Sequence, residues 1–249
     1  MAGSKFHHFS PSPKRHFTLF EPGAVKVSVI VPTLNEALIL QETLAGISRL
    51  SPHEIIVTDG GSTDATVSIA RQEGVRVIEC KPGRALQMNA GARGASGDLL
   101  MFMHADSRVS PESYRKMIET MQSGDLIGGA FSLMIESEKI FLKLISALAT
   151  LRSRYLNLVY GDQTIFVRSG VFRELGGFPL LPICEDLEFF RRLSRKGKVI
   201  LLEEKAVTSE RRWMKEGILF TTLRNIVIAT LFLLGFPPRI LSKRYLVIR

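Results

Sequence analysis

One local pattern recurs between residues 25 and 125 and limits the fold more than any other feature of the chain. Val27-Ser-Val-Ile-Val31 is a β-branched run stopped by Pro32, and residues 35–50 then place Leu38, Leu40, Leu44 and Ile47 at helical intervals. The pattern returns at once in Glu54-Ile-Ile-Val-Thr58, the turn Asp59-Gly-Gly-Ser-Thr63, and a helix from about Asp64 with Ser62 or Thr63 as its N-cap. A third strand is expected over 75–79, a helix in the middle of the Gly-rich stretch 82–97, and a strand over 99–103 that runs into His104-Ala-Asp106. Ser110-Pro111 supplies an N-cap and first-turn pair for a helix to about Gln122. Strands that alternate with helices assemble a parallel, doubly wound sheet, whose ligands lie beyond the carboxyl ends of the strands. Thr33-Leu-Asn-Glu36, Asp59-Gly-Gly-Ser62 and His104-Ala-Asp106 all fall there, where one crevice would collect them.

The second half is less regular. Residues 128–135 read as a strand, 140–158 as an amphipathic helix, 163–168 as a strand, 184–196 as a helix and 199–203 as a strand. A chain of 249 residues, 45% apolar and 23% charged, can bury one sizeable core, and nothing in it resembles a hinge between two. The expected division is an N-terminal arm over 1–24, one α/β domain over 25–224, and an apolar helix with a basic tail over 225–249. The arm has no apolar run of secretory type; a short transit peptide is its alternative reading. The uncharged run 225–238 holds fourteen residues, short of the ~20 that span a bilayer. It reads as core, or as a helix on an anionic membrane surface with Arg224, Arg239, Lys243, Arg244 and Arg249 around it.

The net charge of +9 is uneven, since residues 1–138 carry 13 basic and 15 acidic groups and residues 139–249 carry 20 and 9. The basic half calls for an anionic partner, whether a nucleoside diphosphate, a membrane face or nucleic acid. Cys80 and Cys184 give no metal spacing and no disulfide framework, and are expected to be buried thiols in a reducing compartment.

Four stretches carry chemistry. If 99–106 stays extended, His104 and Asp106 project to one side, about 6–7 Å apart. A carboxylate and an imidazole, with the other positions left to water and substrate phosphate, can hold a divalent ion that serves the substrate. Carboxylate and phosphate suit Mg²⁺ or Mn²⁺, and the imidazole tilts the choice to Mn²⁺; a metal-free strand end is the competing reading. In Asp59-Gly-Gly-Ser62 the glycines allow close backbone approach and the free N–H groups suit an anion or a ribose hydroxyl, although a plain turn reads the same. Cys184-Glu-Asp-Leu-Glu188 puts three acids in an opening helical turn, where the dipole favours them. The loop before it, 176–182, would carry them into a cleft, where one could act as a general base. In Ser209-Glu-Arg-Arg-Trp213, two guanidinium groups can clamp a diphosphate and Trp213 offers a flat face to a ligand ring, unless the trio is only surface.

In this order, Val29-Ile-Val-Pro-Thr-Leu-Asn-Glu36, Asp59-Gly-Gly-Ser-Thr-Asp64, His104-Ala-Asp106, Glu185-Asp186 and Arg211-Arg-Trp213 resemble the GT-A, family 2 inverting glycosyltransferases over residues 25–215. Gly83-Arg-Ala-Leu-Gln-Met-Asn89, Gly161-Asp-Gln163 and Gly176-Gly-Phe-Pro179 resemble the small bacterial arsenosugar-biosynthesis and carotenoid-acid (diaponeurosporenoate-type) subgroup. The resemblance implies a single GT-A type domain with a nucleotide-binding first half and an acceptor-side second half. It implies that Pro32, Thr33, Glu36 and Asp59 bind the nucleoside of a UDP- or GDP-linked sugar, with Arg84 and Asn89 near the base or diphosphate. Asp106, with His104, would hold Mn²⁺ or Mg²⁺. Asp186 would be the general base, Glu185 would position sugar or acceptor, Arg212 and Trp213 would match the family's Gln-x-x-Arg-Trp element and bind the donor, with Arg212 at the diphosphate, and Gly161, Asp162 and Gln163 would line the acceptor side. The implied setting is cytoplasmic, with the inner membrane face as a variant, and the acceptor small or lipidic; nucleic acid is not an expected partner. Two positions depart from the family pattern. Its Asp-x-Asp is His104-Ala-Asp106 here, so that His104 is either a ligand favouring Mn²⁺ over Mg²⁺ or a neighbour that leaves the ion to Asp106 and substrate, and the Gln of its Gln-x-x-Arg-Trp is Ser209, which weakens any inference of processive polymer synthesis.

Rival readings are weaker. A nucleotidyltransferase would carry a Gly-rich loop with Arg or Lys directly after the first strand, and Pro32-Thr-Leu-Asn35 is not one. Gly91-x-x-Gly94-x-x-Gly97 lacks dinucleotide-binding spacing and precedes a strand instead of following one. A non-enzymatic basic binder of membrane or nucleic acid would show steep salt dependence without sugar-nucleotide turnover.

Overall fold

In the computed structural model, which describes residues 25–122 and 124–243, the first half alternates as the pattern requires. It runs β1 (Val27–Thr33), α1 (Ala37–Ser48), β2 (Glu54–Asp59), α2 (Thr66–Gln72), β3 (Arg76–Glu79), α3 (Arg84–Gly94) and β4 (Leu99–Phe102). The strands lie in the order β3-β2-β1-β4, all parallel. β1 is buried along its whole length, as a central parallel strand covered on both faces must be. Val27, Val29 and Val31 join Leu40, Leu44 and Ile47 of α1 in one core, while Ile30 joins Ala85 and Met88 of α3 in the other. Gly91 lets α3 sit down on the sheet, since a Cβ there would lie 2.5 Å from Ile30 Cγ2.

The second half continues with β5 (Ser107–Val109), α4 (Pro111–Gln122), β6 (Leu126–Glu136), α5 (Ile140–Leu156), a 3₁₀ turn (Gly161–Gln163), β7 (Ile165–Arg168), α6 (Ser169–Glu174), α7 (Glu185–Lys196), β8 (Lys198–Ser209), α8 (Arg211–Glu216), α9 (Ile218–Leu233) and α10 (Pro238–Ser242). The sheet extends as β4-β7-β6-β8-β5. It is mostly parallel, but β7 runs antiparallel to β4 and β6, and β5 antiparallel to β8. The reversal matters for the site. Phe102 at the end of β4 pairs with Ile165 at the start of β7, so the turn that precedes β7 sits at the same edge as the loops that follow β1 and β4.

Several local expectations are corrected. The strand expected over 99–103 stops at Phe102, and the Ser107 N–H donates to the His104 carbonyl (3.1 Å) to close a turn; strand alternation therefore does not place His104 and Asp106. Helix α2 begins at Thr66 because the Asp64 carboxylate accepts the Thr66 N–H at 2.9 Å. Ser62 and Thr63, expected as caps, bind Asn35 instead, Ser62 Oγ accepting its N–H (2.8 Å) and the Thr63 N–H donating to its Oδ1 (2.9 Å). Gln163 lies in the 3₁₀ turn and not in a strand, and β8 runs on to Ser209. Both thiols are half-buried. The apolar helix expected from 225 starts at Ile218, after Gly217 with its φ of 94°. The N-terminal arm over 1–24 lies outside the described residues, as do Arg244 and Arg249. Among the described residues, no helix is long and apolar enough to cross a membrane.

Candidate active site

A cleft of about 460 Å³ opens at the carboxyl edge of β1 and β4. Pro32 and Thr33 enter from the end of β1, His104 and Asp106 from the turn after β4, and Asp162 from the 3₁₀ turn. Glu185 and Asp186 come from the first turn of α7, and Arg211, Arg212 and Trp213 from α8. The end of β8 is fastened there by the Ser209 N–H, which donates to the Asp106 carbonyl at 3.3 Å.

Asp186 is buried and doubly hydrogen-bonded: Oδ2 accepts the Gly161 N–H at 2.6 Å and Oδ1 the Leu187 N–H at 2.8 Å. Gly161 is closely packed as well. A Cβ on it would lie 2.7 Å from His104 Nε2 and 3.3 Å from Asp186 Oδ2, so imidazole, glycine and carboxylate close on one another. Glu188, the third acid of that turn, faces away and pairs with Arg191 (2.7 Å) and Arg192 (2.9 Å).

Burial governs the electrostatics. It pushes the His104 imidazole down to about 3, helped by the charges of Arg84 and Arg212, so the ring stays neutral and its lone pair available. Asp162 is pushed up to about 6, chiefly by burial and also by the charges of Asp186 and Asp106, with Arg152 and Arg212 opposing. Its Oδ1 is buried and has no hydrogen-bond partner among the described residues. Glu185 is raised by burial against the pull of Arg84, whose Nε stands 3.1 Å from Glu185 Oε1. The Cys184 thiol is pushed up to about 12, again mainly by burial, and is not a nucleophile near neutral pH.

Not every expected residue reaches the cleft. Asp59 is 1% exposed; its carboxylate takes the Gly61 and Ser62 N–H groups at 2.8 and 2.7 Å and the Thr33 hydroxyl at 3.3 Å. The amides expected to greet an anion are thus satisfied internally. Asn89 clamps Phe178, donating to its carbonyl at 2.8 Å and accepting its N–H at 2.9 Å. Gln163 is fully buried, donating to the Phe131 carbonyl at 3.1 Å and accepting the Ser153 hydroxyl at 2.7 Å. Trp213 touches the cleft but packs with Leu133, Ile135 and Leu142, so most of its ring is core. Arg211 pairs with Glu36 across the mouth at 3.1 Å.

Three wall residues carried no separate signal. Gln87, inside the Gly-rich stretch, donates to the carbonyls of Thr33 (2.7 Å) and Thr58 (2.9 Å) and so fixes the ends of β1 and β2. Tyr160 lines the wall beneath Arg152, whose guanidinium carbon stands 3.9 Å from the ring centroid. Asn225 arrives from α9; only tertiary packing brings it there.

A cleft at the carboxyl edge of a mostly parallel sheet, with an antiparallel strand inserted beside it, is the architecture of the GT-A glycosyltransferases. Glucosyl-3-phosphoglycerate synthase of Mycobacterium tuberculosis, solved with Mn²⁺, UDP and glucosyl-3-phosphoglycerate, superposes with a TM-score of 0.60 at 20% identity, covering 88% of each chain. A mannosyltransferase of Pyrobaculum calidifontis, solved with GDP-mannose and Mn²⁺, gives 0.58 at 22% identity over 74% of this chain and 56% of that one. The glycosyl transferase family 2 model matches residues 28–173, and the chain belongs to that family. A PGL/p-HBAD biosynthesis glycosyltransferase of Mycobacterium bovis is 30% identical over 180 residues, 66% of this chain and 59% of that protein. An undecaprenyl-phosphate 4-deoxy-4-formamido-L-arabinose transferase of Serratia proteamaculans is 32% identical over 117 residues, 41% of this chain and 36% of that protein. The chain thus spans about three-fifths, or less, of the length of these two relatives.

Proposed function

We propose that the protein transfers a sugar from a nucleoside-diphosphate sugar to an acceptor hydroxyl, with inversion at the anomeric carbon. The observation that carries this reading is that Asp186, able to take an acceptor proton, shares one cleft with Asp106, His104 and Arg212, which suit a diphosphate and its counter-ion. The named activities of the relatives, and the UDP or GDP-mannose held by the solved neighbours, support the same donor class.

Asp186 accepts the hydroxyl proton on its carboxylate, which the Gly161 amide holds in place. The freed oxygen attacks from the face opposite the leaving nucleotide. Arg212 stabilises negative charge as the bond to the diphosphate breaks. Glu185, held by Arg84, positions sugar or acceptor. Pro32, Thr33 and Glu36 contact the nucleoside, and Asp59 acts from behind by fixing Thr33.

The donor set fits Mn²⁺ or Mg²⁺ shared with the substrate. His104 is neutral, and the Asp106 side chain lines the cleft with no hydrogen bond drawn to it among the described residues. Among those residues no cluster of three or more His, Cys, Asp or Glu could hold an ion unaided, so phosphate oxygens and water would complete the shell. When bound, the ion would offset charge on the leaving diphosphate.

The acceptor is read as small or lipidic. Ile228 and Ala229 give part of the wall an apolar lining, and one relative's name specifies undecaprenyl phosphate. Two free cysteines suit action in the cytoplasm or at its membrane face. A panel of UDP- and GDP-sugars, with and without Mn²⁺, followed by thermal shift and donor hydrolysis, tests the reading. At least one donor is expected to shift the melt, and Asp186→Asn to keep that shift while losing transfer. A flat panel, or near-parental transfer by Asp186→Asn, refutes it.

A further inference from the structure

Helices α5 and α9 pack against each other, and both leave apolar side chains on the solvent side as well as burying some. On α5 the inward residues are Leu142, Ser146, Ala149 and Ser153, whereas Phe141, Leu144, Leu148, Leu151 and Tyr155 are exposed at alternating intervals of three and four. On α9 the inward residues are Thr221, Arg224, Ile228 and Ala229, while Leu219 is 81% and Leu223 65% exposed, with Phe220, Ile226 and Val227 also outside. A surface helix ordinarily keeps its outer face polar. Specific bonds fix this orientation: Ser146 Oγ accepts the Ile135 N–H at 2.9 Å, and Arg224 grips buried Glu216 through two bonds of 2.7 and 2.6 Å.

Monomeric proteins rarely leave so much contiguous apolar side chain to water, and the charge around it narrows the choice of cover. Lys139, Lys143 and Arg154 are exposed along 139–156, and Arg239 and Lys243 along 217–243, with no Asp or Glu in either segment; Lys143 and Arg154 pair with Glu138 and Glu203 just outside them, and Arg224 is turned inward onto Glu216. A second copy would set basic face against basic face. We propose that the α5–α9 face docks on the surface of an anionic lipid bilayer, apolar side chains at the acyl boundary and basic ones among the headgroups. Neither helix spans, having 17 and 16 residues. Asn225, Ile228 and Ala229 on the inner side of α9 line the cleft, so docking sets the cleft about one helix diameter, ~10 Å, from the headgroups. The surface does not depend on the transfer reading.

The test is sedimentation of the full chain with phosphatidylcholine vesicles, with and without phosphatidylglycerol, in low and high salt. Binding to the anionic vesicles is expected, weakened by salt and at least tenfold weaker in a Leu148→Glu/Leu223→Glu/Ile226→Glu variant whose melting profile matches the parent. Donor binding, followed separately by thermal shift, reports on the transfer reading alone. Absence of binding to anionic vesicles, parental binding by the variant, or a concentration-dependent dimer that the variant abolishes overturns the proposal.

Discussion

Replacing Asp162 by Asn should make the protein more stable at neutral pH. The carboxyl is held at about 6 against an ordinary 3.8, mainly by burial, and one of its oxygens has no hydrogen-bond partner among the described residues. The folded protein therefore binds this proton more tightly than the unfolded chain. Between those two values the native state carries the proton and the unfolded state does not, so stability falls as pH rises through the window. A shift of roughly two units corresponds to about 3 kcal/mol lost by the time pH exceeds the folded value. Asn keeps the shape and removes the charge, so at pH 8 the variant should recover up to about 3 kcal/mol, less whatever the buried amide costs. At about 2 °C per kcal/mol for a chain of this length, the melting temperature rises by about 5 °C. At pH 4 the folded side chain is protonated and the unfolded one about half so, and the gap should shrink to roughly half a kcal/mol. Differential scanning calorimetry of the pair from pH 4 to pH 8 reads the difference directly and cancels the titrating groups that do not interact with this carboxyl. A variant no more stable than the parent at pH 8, or a gap that does not change with pH, would refute the reasoning.

Two further substitutions probe the same wall. Gly161→Ala puts a methyl 2.7 Å from His104 Nε2; forcing the imidazole aside should cost about 1–3 kcal/mol and reduce transfer further by disturbing Asp186, and unchanged melting with unchanged turnover would show the packing to be loose. His104→Asp supplies a second carboxylate in place of a neutral imidazole, so the ratio of Mn²⁺-supported to Mg²⁺-supported turnover should fall relative to the parent; identical metal preference in parent and variant removes His104 from the donor set.

The alternation of β-branched runs and helical spacing specified the parallel half, because both periods are local properties of the chain. Pro32, Thr33, His104 and Asp106 could be assigned to one crevice for the same reason, since parallel strands share a carboxyl edge. Local spacing misled at 104–106, where a turn replaces the expected extension, and at Asp59, Asn89 and Gln163, whose polar groups are spent inside the fold. A polar side chain in a motif reads alike whether it binds a ligand or a neighbouring backbone; only its partners tell the two apart.

Sequence alone thus determined the class of sheet, the order of the motifs, the family resemblance and the pairing of acid with arginine that suits a charged donor. Tertiary structure decided which residues meet. The antiparallel insertion of β7 carries Gly161 against Asp186 and His104, and buried bonds from Ser146 on α5 and Arg224 on α9 fix which apolar side chains of those helices stay outside. Both depend on contacts between residues distant in the chain, whose energies no local periodicity records.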